Sequence, residues 1–305
     1  MSLESRKKAF AGLSSRFKCE RPTPLISVYK IPSTLFSKLQ TVTALYLSKC
    51  LGLNEFILDE DELLKRFDEE GDKVPNITPN GMVVPKRHTV LEYNLLVQTF
   101  SAIIGTLGIH DLISSWHVPL NVRIKYGEAC GENLKRHHPT EHIHSDSWAG
   151  ESSESVTTMF MILGDTDRNH VSYYDPPENF KEEWLGPRPT YQDGKVLADQ
   201  YSKVDLAPQK GDLIIADFAE LHATSRLPGA KTRVSIDTTF VLKKHEDHRE
   251  AENIHKWREG ERATPHILEK VGEESLLYFP DRADQQVDSQ GGFKHPTNLN
   301  VVSLG

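Results

Sequence analysis

The chain has 305 residues, of which 37% are hydrophobic, and this is enough to bury a substantial core within one large domain. Its formal charge of −8 and isoelectric point near 6.0 argue against a non-specific nucleic-acid binder, which would carry a basic surface. No run of about 18 uncharged apolar residues is present, and the first residues lack the apolar stretch of a signal sequence. We therefore expect a soluble, cytoplasmic protein without a membrane partner.

The first part of the chain, residues 1–115, is predicted to be a mainly helical support. Short apolar stretches alternate there with charge runs, and a segment rich in Pro, Asn and Gly near residue 80 is typical of a loop. Beyond that loop, apolar residues recur at helical spacing from Leu91 to Leu107. This pattern predicts an amphipathic helix that packs on a core.

Residues 116–245 are predicted to form the β core. The segments with strand patterns are NVRIKY, EHIHSDSW, SVTTMFMIL, GDLIIADF and RVSIDTTFVL. Several short strands joined by hairpin-sized loops favour a barrel or jelly roll over a parallel sheet. Residues 175–203 interrupt these strands and are predicted to be an insertion or lid.

The remaining residues, 246–305, are predicted to form a C-terminal helix followed by a polar tail. No internal repeat and no low-complexity block divides the chain. The sequence therefore predicts a single domain over residues 1–305, mainly β with helical additions.

One group of polar residues in the β core has the pattern of a metal site. His144 and Asp146 are two residues apart, so in a strand both side chains would project to one face and meet one ion. His222 follows much later, directly after the GDLIIADF segment and a short turn, where a strand can return to the same end of the sheet. Two imidazoles and one carboxylate leave about three coordination positions open, as in non-haem Fe(II) oxygenases.

Arg233 and Ser235 lie on one face of the RVSIDTTFVL segment. A guanidinium binds a carboxylate through two parallel hydrogen bonds, and a hydroxyl two residues on can donate to the same group. Together with the histidines and the aspartate, these residues form the pattern H-x-D…H…R-x-S over residues ~120–245. This pattern resembles that of the Fe(II)- and 2-oxoglutarate-dependent dioxygenase family, although it does not identify a subfamily.

The resemblance implies a fold, a cofactor and roles for five residues. It implies a double-stranded β-helix core of the jelly-roll or cupin-like type. It implies that His144, Asp146 and His222 are the catalytic ligands of Fe(II), and that Arg233 and Ser235 bind the distal carboxylate of 2-oxoglutarate. Molecular oxygen would be the other cosubstrate.

The resemblance also implies a reaction, which is the oxidation of an unactivated C–H bond with release of succinate and CO2. Hydroxylation is the expected outcome, while desaturation, epimerisation and ring closure remain open. A halogenase is excluded because those enzymes replace the carboxylate ligand by a small residue, whereas this chain has Asp146.

Four further side chains are candidates for substrate binding. Arg123 and Lys125 alternate on NVRIKY and share a face, so they would favour an anionic substrate or the cosubstrate itself if that face lines the cavity. Trp148 would share the strand face of Asp146, and Arg226 lies between the second histidine and the arginine of the motif. Ordinary packing or an outward orientation is the alternative for each. We expect a small polar substrate; its identity and the oligomeric state remain open.

Three alternative functions remain. His142 and His144 form H-x-H, which is how the metal motif of a cupin begins, but the glutamate and later histidine of that motif do not follow at its intervals. A zinc-dependent metalloenzyme without 2-oxoglutarate could use the same ligands, although it leaves the arginine and serine unexplained. A non-catalytic ligand-binding protein on the same fold is the third alternative.

Overall fold

The computed structural model describes residues 1–78, 80–117, 120–128, 138–243, 262–263, 275–278 and 300–303. Within these ranges the protein consists mostly of antiparallel β-sheet with helices packed against it. The predicted class, mainly β with helical additions, is therefore confirmed. The helix predicted to begin at residue 246 lies outside the described residues.

The long helices of the described structure lie in the first part of the chain, and one short helix lies within the 175–203 segment. They are α1 (Leu3–Ser14), α2 (Ser33–Cys50), α3 (Glu60–Glu70), α4 (Val90–Gly105) and the short α5 (Lys195–Ala198). The carboxylate of Asp59 accepts the backbone N–H of Glu62 at 2.9 Å and so caps the first turn of α3. Among the described residues, none of the helices is both long enough and apolar enough to cross a membrane.

The helix predicted between Leu91 and Leu107 is confirmed by α4. Leu96 and Phe100 are buried against the core, as the apolar spacing predicts. Leu91 and Leu95, however, face solvent on the opposite side of the helix.

The β-strands form one large sheet and two small ones. In chain order they are β1 (Glu20–Thr23), β2 (Ile26–Lys30), β3 (Met82–Val83), β4 (Ile113–His117), β5 (Asn121–Lys125), β6 (Ser155–Gly164), β7 (Asn169–Asp175), β8 (Ser202–Lys203), β9 (Asp212–Asp217), β10 (Leu221–Arg226), β11 (Arg233–Leu242), β12 (Arg262–Ala263), β13 (Ser275–Tyr278) and β14 (Asn300–Ser303). The large sheet has the order β1-β2-β9-β6-β11-β4-β12, with β5 also paired to β11 and β3 to β5. The second sheet has the order β10-β7-β8, and β13 pairs with β14.

The two main sheets pack face to face. Apolar side chains from β2, β6 and β9 of the large sheet meet those of β7 from the smaller sheet in one buried cluster. The other face of the large sheet packs on α1 to α4 in the main core. Because strand side chains alternate between the two faces, every second residue of β5 and β11 also points into the space between the sheets.

The helical part of the chain also contributes a strand to the large sheet, since β2, with the short apolar sequence ISVYK, pairs with β9. One sequence-based prediction needs correction, because the segment EHIHSDSW is not a strand. Only His144 makes a β-bridge, to His222, and residues 146–149 form a 3-10 helix. The Ser145 hydroxyl starts this turn by accepting the backbone N–H of Ser147, a local bond that competes with strand formation.

Arg6 connects α1 to the β core. Its buried guanidinium donates to Asp217 at the end of β9 at 2.9 Å, to Glu182 at 2.9 Å and to the carbonyl of Ser153 at 2.8 Å. Burial alone would lower the pKa of Arg6, yet Asp217 and Glu182 together raise it. Glu182 belongs to the 175–203 segment, so one side chain joins the first helix, the sheet and that segment.

We predict that Arg6→Met lowers the free energy of unfolding by about 3 to 5 kcal/mol, because it leaves the buried Asp217 carboxylate without its cation. Urea denaturation measures the change. The matched control is Arg16→Met, which removes a 2.8 Å ion pair between the exposed side chains of Arg16 and Asp111 and should cost less than about 1 kcal/mol. Equal effects of the two substitutions would contradict the structural role of Arg6.

Candidate active site

His144, Asp146 and His222 lie together between the two sheets. Their ligand atoms all lie within 4.8 Å of one another. The Nε2 atoms of His144 and His222 are 3.6 Å and 3.8 Å from Oδ1 of Asp146, and the two ring centroids are 4.3 Å apart. The structure therefore brings together the three residues that the motif predicts as ligands, while His142 is not part of this group.

The His144 imidazole is oriented for metal binding. Its Nδ1 lies 2.7 Å from the carbonyl oxygen of His142, which can only accept, so Nδ1 carries the proton. In this tautomer of the neutral ring Nε2 carries the lone pair, and this buried atom makes no hydrogen bond within the described structure. A buried nitrogen lone pair beside a carboxylate and a second imidazole fits a divalent transition metal.

Ionisation also favours cation binding. Burial opposes the charge on Asp146, but His222, His144 and Arg123 together hold the pKa of this carboxyl below its usual value. Burial and the neighbouring His144 lower the pKa of His222 to about 4, although Asp146 and Asp237 act in the opposite direction. At neutral pH the site therefore offers an anionic carboxylate beside a neutral His222 imidazole.

Tyr191 of the 175–203 segment covers the outer face of His144. The two rings are stacked, with centroids 3.9 Å apart and planes inclined by 19°. The edge of His138 contacts the same tyrosine, with a centroid distance of 4.7 Å. The segment that interrupts the strands thus packs directly on a candidate ligand, and no sequence pattern indicates this contact.

A single cavity joins the three candidate ligands to a group of cations. Both sheets contribute its walls, and the polar residues that line it are Arg123, Lys125, Thr140, His144, Asp146, Thr157, His222, Thr224, Arg233, Ser235 and Asp237. In the register of the large sheet, Arg233 lies opposite Lys125, and Ser235 lies opposite Arg123. The predicted common face of Arg123 and Lys125 therefore does line the cavity.

Arg233 is a buried cation at the end of this cavity. Its Nη1 donates to the hydroxyl of Ser235 at 2.6 Å and its Nε to the side-chain oxygen of Asn169 at 3.2 Å. No carboxylate in the described part of the chain forms an ion pair with it, and burial together with Arg226 lowers its pKa to about 10. An anion that enters the cavity would restore the missing interaction.

The other cations at this end of the cavity are balanced by carboxylates. Arg123 binds Asp237 through Nε at 2.6 Å and Nη2 at 3.3 Å. Lys125 donates to Thr140 at 2.5 Å and lies 3.5 Å from Glu141, and burial lowers its pKa to about 7.

Arg226 and Trp148 are not among the residues that line the cavity. Arg226 binds the same Glu141 at 3.3 Å and donates to the carbonyl of Tyr126 at 2.8 Å. Trp148 does not share a strand face with Asp146, because it lies in the 3-10 helix over residues 146–149. Its ring is buried, and its indole nitrogen donates to the carbonyl of Trp184 at 2.8 Å. Trp148 therefore packs beneath the 175–203 segment.

No protein-family model and no curated protein matches the chain. Solved structures similar to it include the non-heme alpha ketoglutarate dependent carbocyclase SnoK from nogalamycin biosynthesis, with 13% identity, 80% of this chain and 84% of that chain covered, and a TM-score of 0.40. The epimerase SnoN of the same biosynthesis has 11% identity and a TM-score of 0.38, with 76% of this chain and 82% of that chain covered. An N-substituted L-amino acid dioxygenase from Burkholderia ambifaria AMMD has 13% identity and a TM-score of 0.36, with 76% of this chain and 85% of that chain covered. Similarity at this level assigns neither a family nor an activity to this chain.

We predict that the protein binds one Fe(II), or redox-silent Ni(II), through these three side chains. His144→Ala should weaken metal binding by more than the roughly 10- to 100-fold that is lost when only an outer partner of a ligand is changed. Calorimetric titration of the metal-free protein measures this. His88→Ala, which removes an exposed histidine, is the control and should bind metal normally. Unchanged affinity in His144→Ala would refute the assignment.

Proposed function

We propose that this protein is an Fe(II)- and 2-oxoglutarate-dependent dioxygenase. The observation that carries the proposal is that one cavity contains both the group His144, Asp146 and His222 and the buried, carboxylate-free Arg233 with its partner Ser235. A dicarboxylate that chelates a metal at one end and reaches an arginine at the other matches these two features. A zinc hydrolase would use the first feature and leave the second unexplained.

The strand order supports a double-stranded β-helix, or jelly roll, as the core. The order β9-β6-β11-β5 of the large sheet faces the order β8-β7-β10 of the smaller sheet, and the His144 bridge extends the latter beyond β10. Both sheets are antiparallel and enclose the site between them, as in a jelly roll. In this interpretation β10 and the His144 segment supply the ligands, and β11 supplies the arginine.

The residues that carry the proposal have distinct parts in the proposed activity. His144, Asp146 and His222 would hold Fe(II), which with 2-oxoglutarate and O2 supplies the oxidation of an unactivated C–H bond with release of succinate and CO2. Arg233 and Ser235 bind the distal carboxylate of the cosubstrate, and a charged Lys125 adds to its attraction. The stacked Tyr191 keeps His144 in place and keeps water from its outer face.

The substrate that we propose is a small polar metabolite, with hydroxylation as the default reaction. Arg123 and Asp237 line the cavity as an ion pair, and their side chains are 19% and 10% exposed. Asp146, next to them, is 30% exposed. Polar substrate groups can therefore meet charged partners beside the candidate metal position.

We predict that the anaerobic Fe(II) protein develops the weak visible charge-transfer band of the iron chelate when 2-oxoglutarate is added. Arg233→Met should weaken 2-oxoglutarate binding by roughly 10- to 100-fold, since it removes hydrogen bonds to a charged group. Arg168→Met, which changes an exposed arginine, should leave the titration unchanged. Stoichiometric iron binding without a band would refute the proposed function.

We also predict that affinity for 2-oxoglutarate falls as the pH rises through about 7. Lys125 is an ammonium below its pKa of about 7 and neutral above it, so its attraction for a carboxylate is present at low pH and lost at high pH. The charged groups that act on it are Glu141, Arg123, Arg233 and Arg226.

The expected loss between pH 6 and pH 8.5 is roughly three- to tenfold, as for one ordinary hydrogen bond, because Glu141 already balances part of the Lys125 charge. Calorimetry on the Ni(II)-loaded protein at each pH measures the loss. In Lys125→Met the affinity for 2-oxoglutarate should not change with pH. It should equal the weaker affinity that the wild type shows at high pH. If the affinity of Lys125→Met falls with pH as steeply as that of the wild type, a group other than Lys125 causes the pH dependence.

A further inference from the structure

Asn169 is the residue that connects the candidate carboxylate site to both sheets. It is the first residue of β7 in the smaller sheet, and its side chain has no exposed surface. Its Oδ1 accepts the Nε–H of Arg233 in the large sheet at 3.2 Å. A buried amide in this position is not required to pair two strands, because β7 is already paired with β8 and β10.

The opposite end of the Asn169 amide is bound to backbone carbonyls. Its Nδ2 donates to the carbonyl of Lys125 at 2.8 Å and to that of Lys231 at 3.0 Å, and the carbonyl of Tyr126 lies at 3.4 Å. Carbonyl oxygens only accept and the arginine Nε–H only donates, so these partners allow one orientation of the amide. The end of β5, the residues before β11 and the start of β7 are therefore held by one side chain.

This arrangement fixes the orientation of the Arg233 guanidinium. Asn169 occupies its Nε edge and Ser235 binds Nη1, so the planar group cannot rotate without losing a hydrogen bond. Because the partner on the Nε edge is a neutral amide, the positive charge is not neutralised. A carboxylate at position 169 would hold the guanidinium equally well but would compete with an incoming anion.

We propose that Asn169 is a positioning residue that orients Arg233 for the distal carboxylate of the cosubstrate and leaves its charge available. This inference rests on the proposed function. It assigns selectivity for a dicarboxylate to a residue outside the H-x-D…H…R-x-S pattern. Asn169 acts through Arg233, so its loss should affect only ligands that reach the arginine.

The test compares two ligands on the Ni(II)-loaded protein by calorimetry. 2-Oxoglutarate has a distal carboxylate, whereas 2-oxobutyrate has the same 2-oxo acid group and lacks it. In the wild type, 2-oxoglutarate should bind more tightly. In Asn169→Ala this preference should shrink by roughly tenfold, and in Asn169→Asp by more, while the affinities for Ni(II) and for 2-oxobutyrate stay unchanged.

Ser172→Ala is the matched control. It removes a buried hydroxyl of the same strand, which accepts a hydrogen bond from Ser225 at 2.8 Å and does not contact Arg233. Its preference for 2-oxoglutarate should equal that of the wild type. If Asn169→Asp does not fold, Asn169→Ala alone tests whether Asn169 orients Arg233, because alanine adds no charge to the interior.

The outcomes separate the two proposals. Equal weakening of both ligands in Asn169→Ala, or an unchanged preference, would show that Asn169 has only a structural role and would overturn this inference. A wild-type protein that binds Ni(II) but shows no preference for 2-oxoglutarate would instead overturn the proposed function itself.

Discussion

Two backbone hydrogen bonds between His144 and His222 determine how the site is built. The N–H of His144 donates to the carbonyl of His222 at 3.0 Å, and the reverse bond measures 2.8 Å. Residues that are directly opposite in an antiparallel pair project to the same face, so this bridge places both imidazoles together. Asp146 then turns back towards them in the 3-10 helix. A register shift of one residue would move one imidazole to the other face and dismantle the site.

The parts of the site that depend on strand periodicity could be predicted from the sequence. Arg233 and Ser235 share a face of β11, and Arg123 and Lys125 share a face of β5, as a period of two residues requires. Asp237 is on the same face of β11 and could have been recognised by the same argument as the partner of Arg123. The charge and chemistry of the cavity wall thus follow from local pattern.

The remaining parts depend on contacts that no local pattern contains. The pattern around Asp146 predicts a strand, yet the Ser145 hydroxyl caps a 3-10 helix there, and Trp148 therefore does not line the cavity. Asn169 and Tyr191 come from a different sheet and from the 175–203 segment, so their contacts with Arg233 and His144 exist only after the chain has folded. The motif and the strand periodicity predict polar groups that the cavity contains, but they do not predict the contacts that Asn169 and Tyr191 make with those groups.

Arg233, which has no carboxylate partner within the described ranges, also affects how stability and ligand binding are related. A charge that is removed from water opposes folding, so the buried guanidinium makes the protein less stable than its packing alone would allow. A ligand that binds only the folded state adds stability as its concentration rises, by about 2.7 kcal/mol at one hundred times its dissociation constant. Selection for stability alone would neutralise or remove this arginine. Its presence in the interior therefore lowers the stability of the fold, and the anion that we propose to bind there would offset this loss.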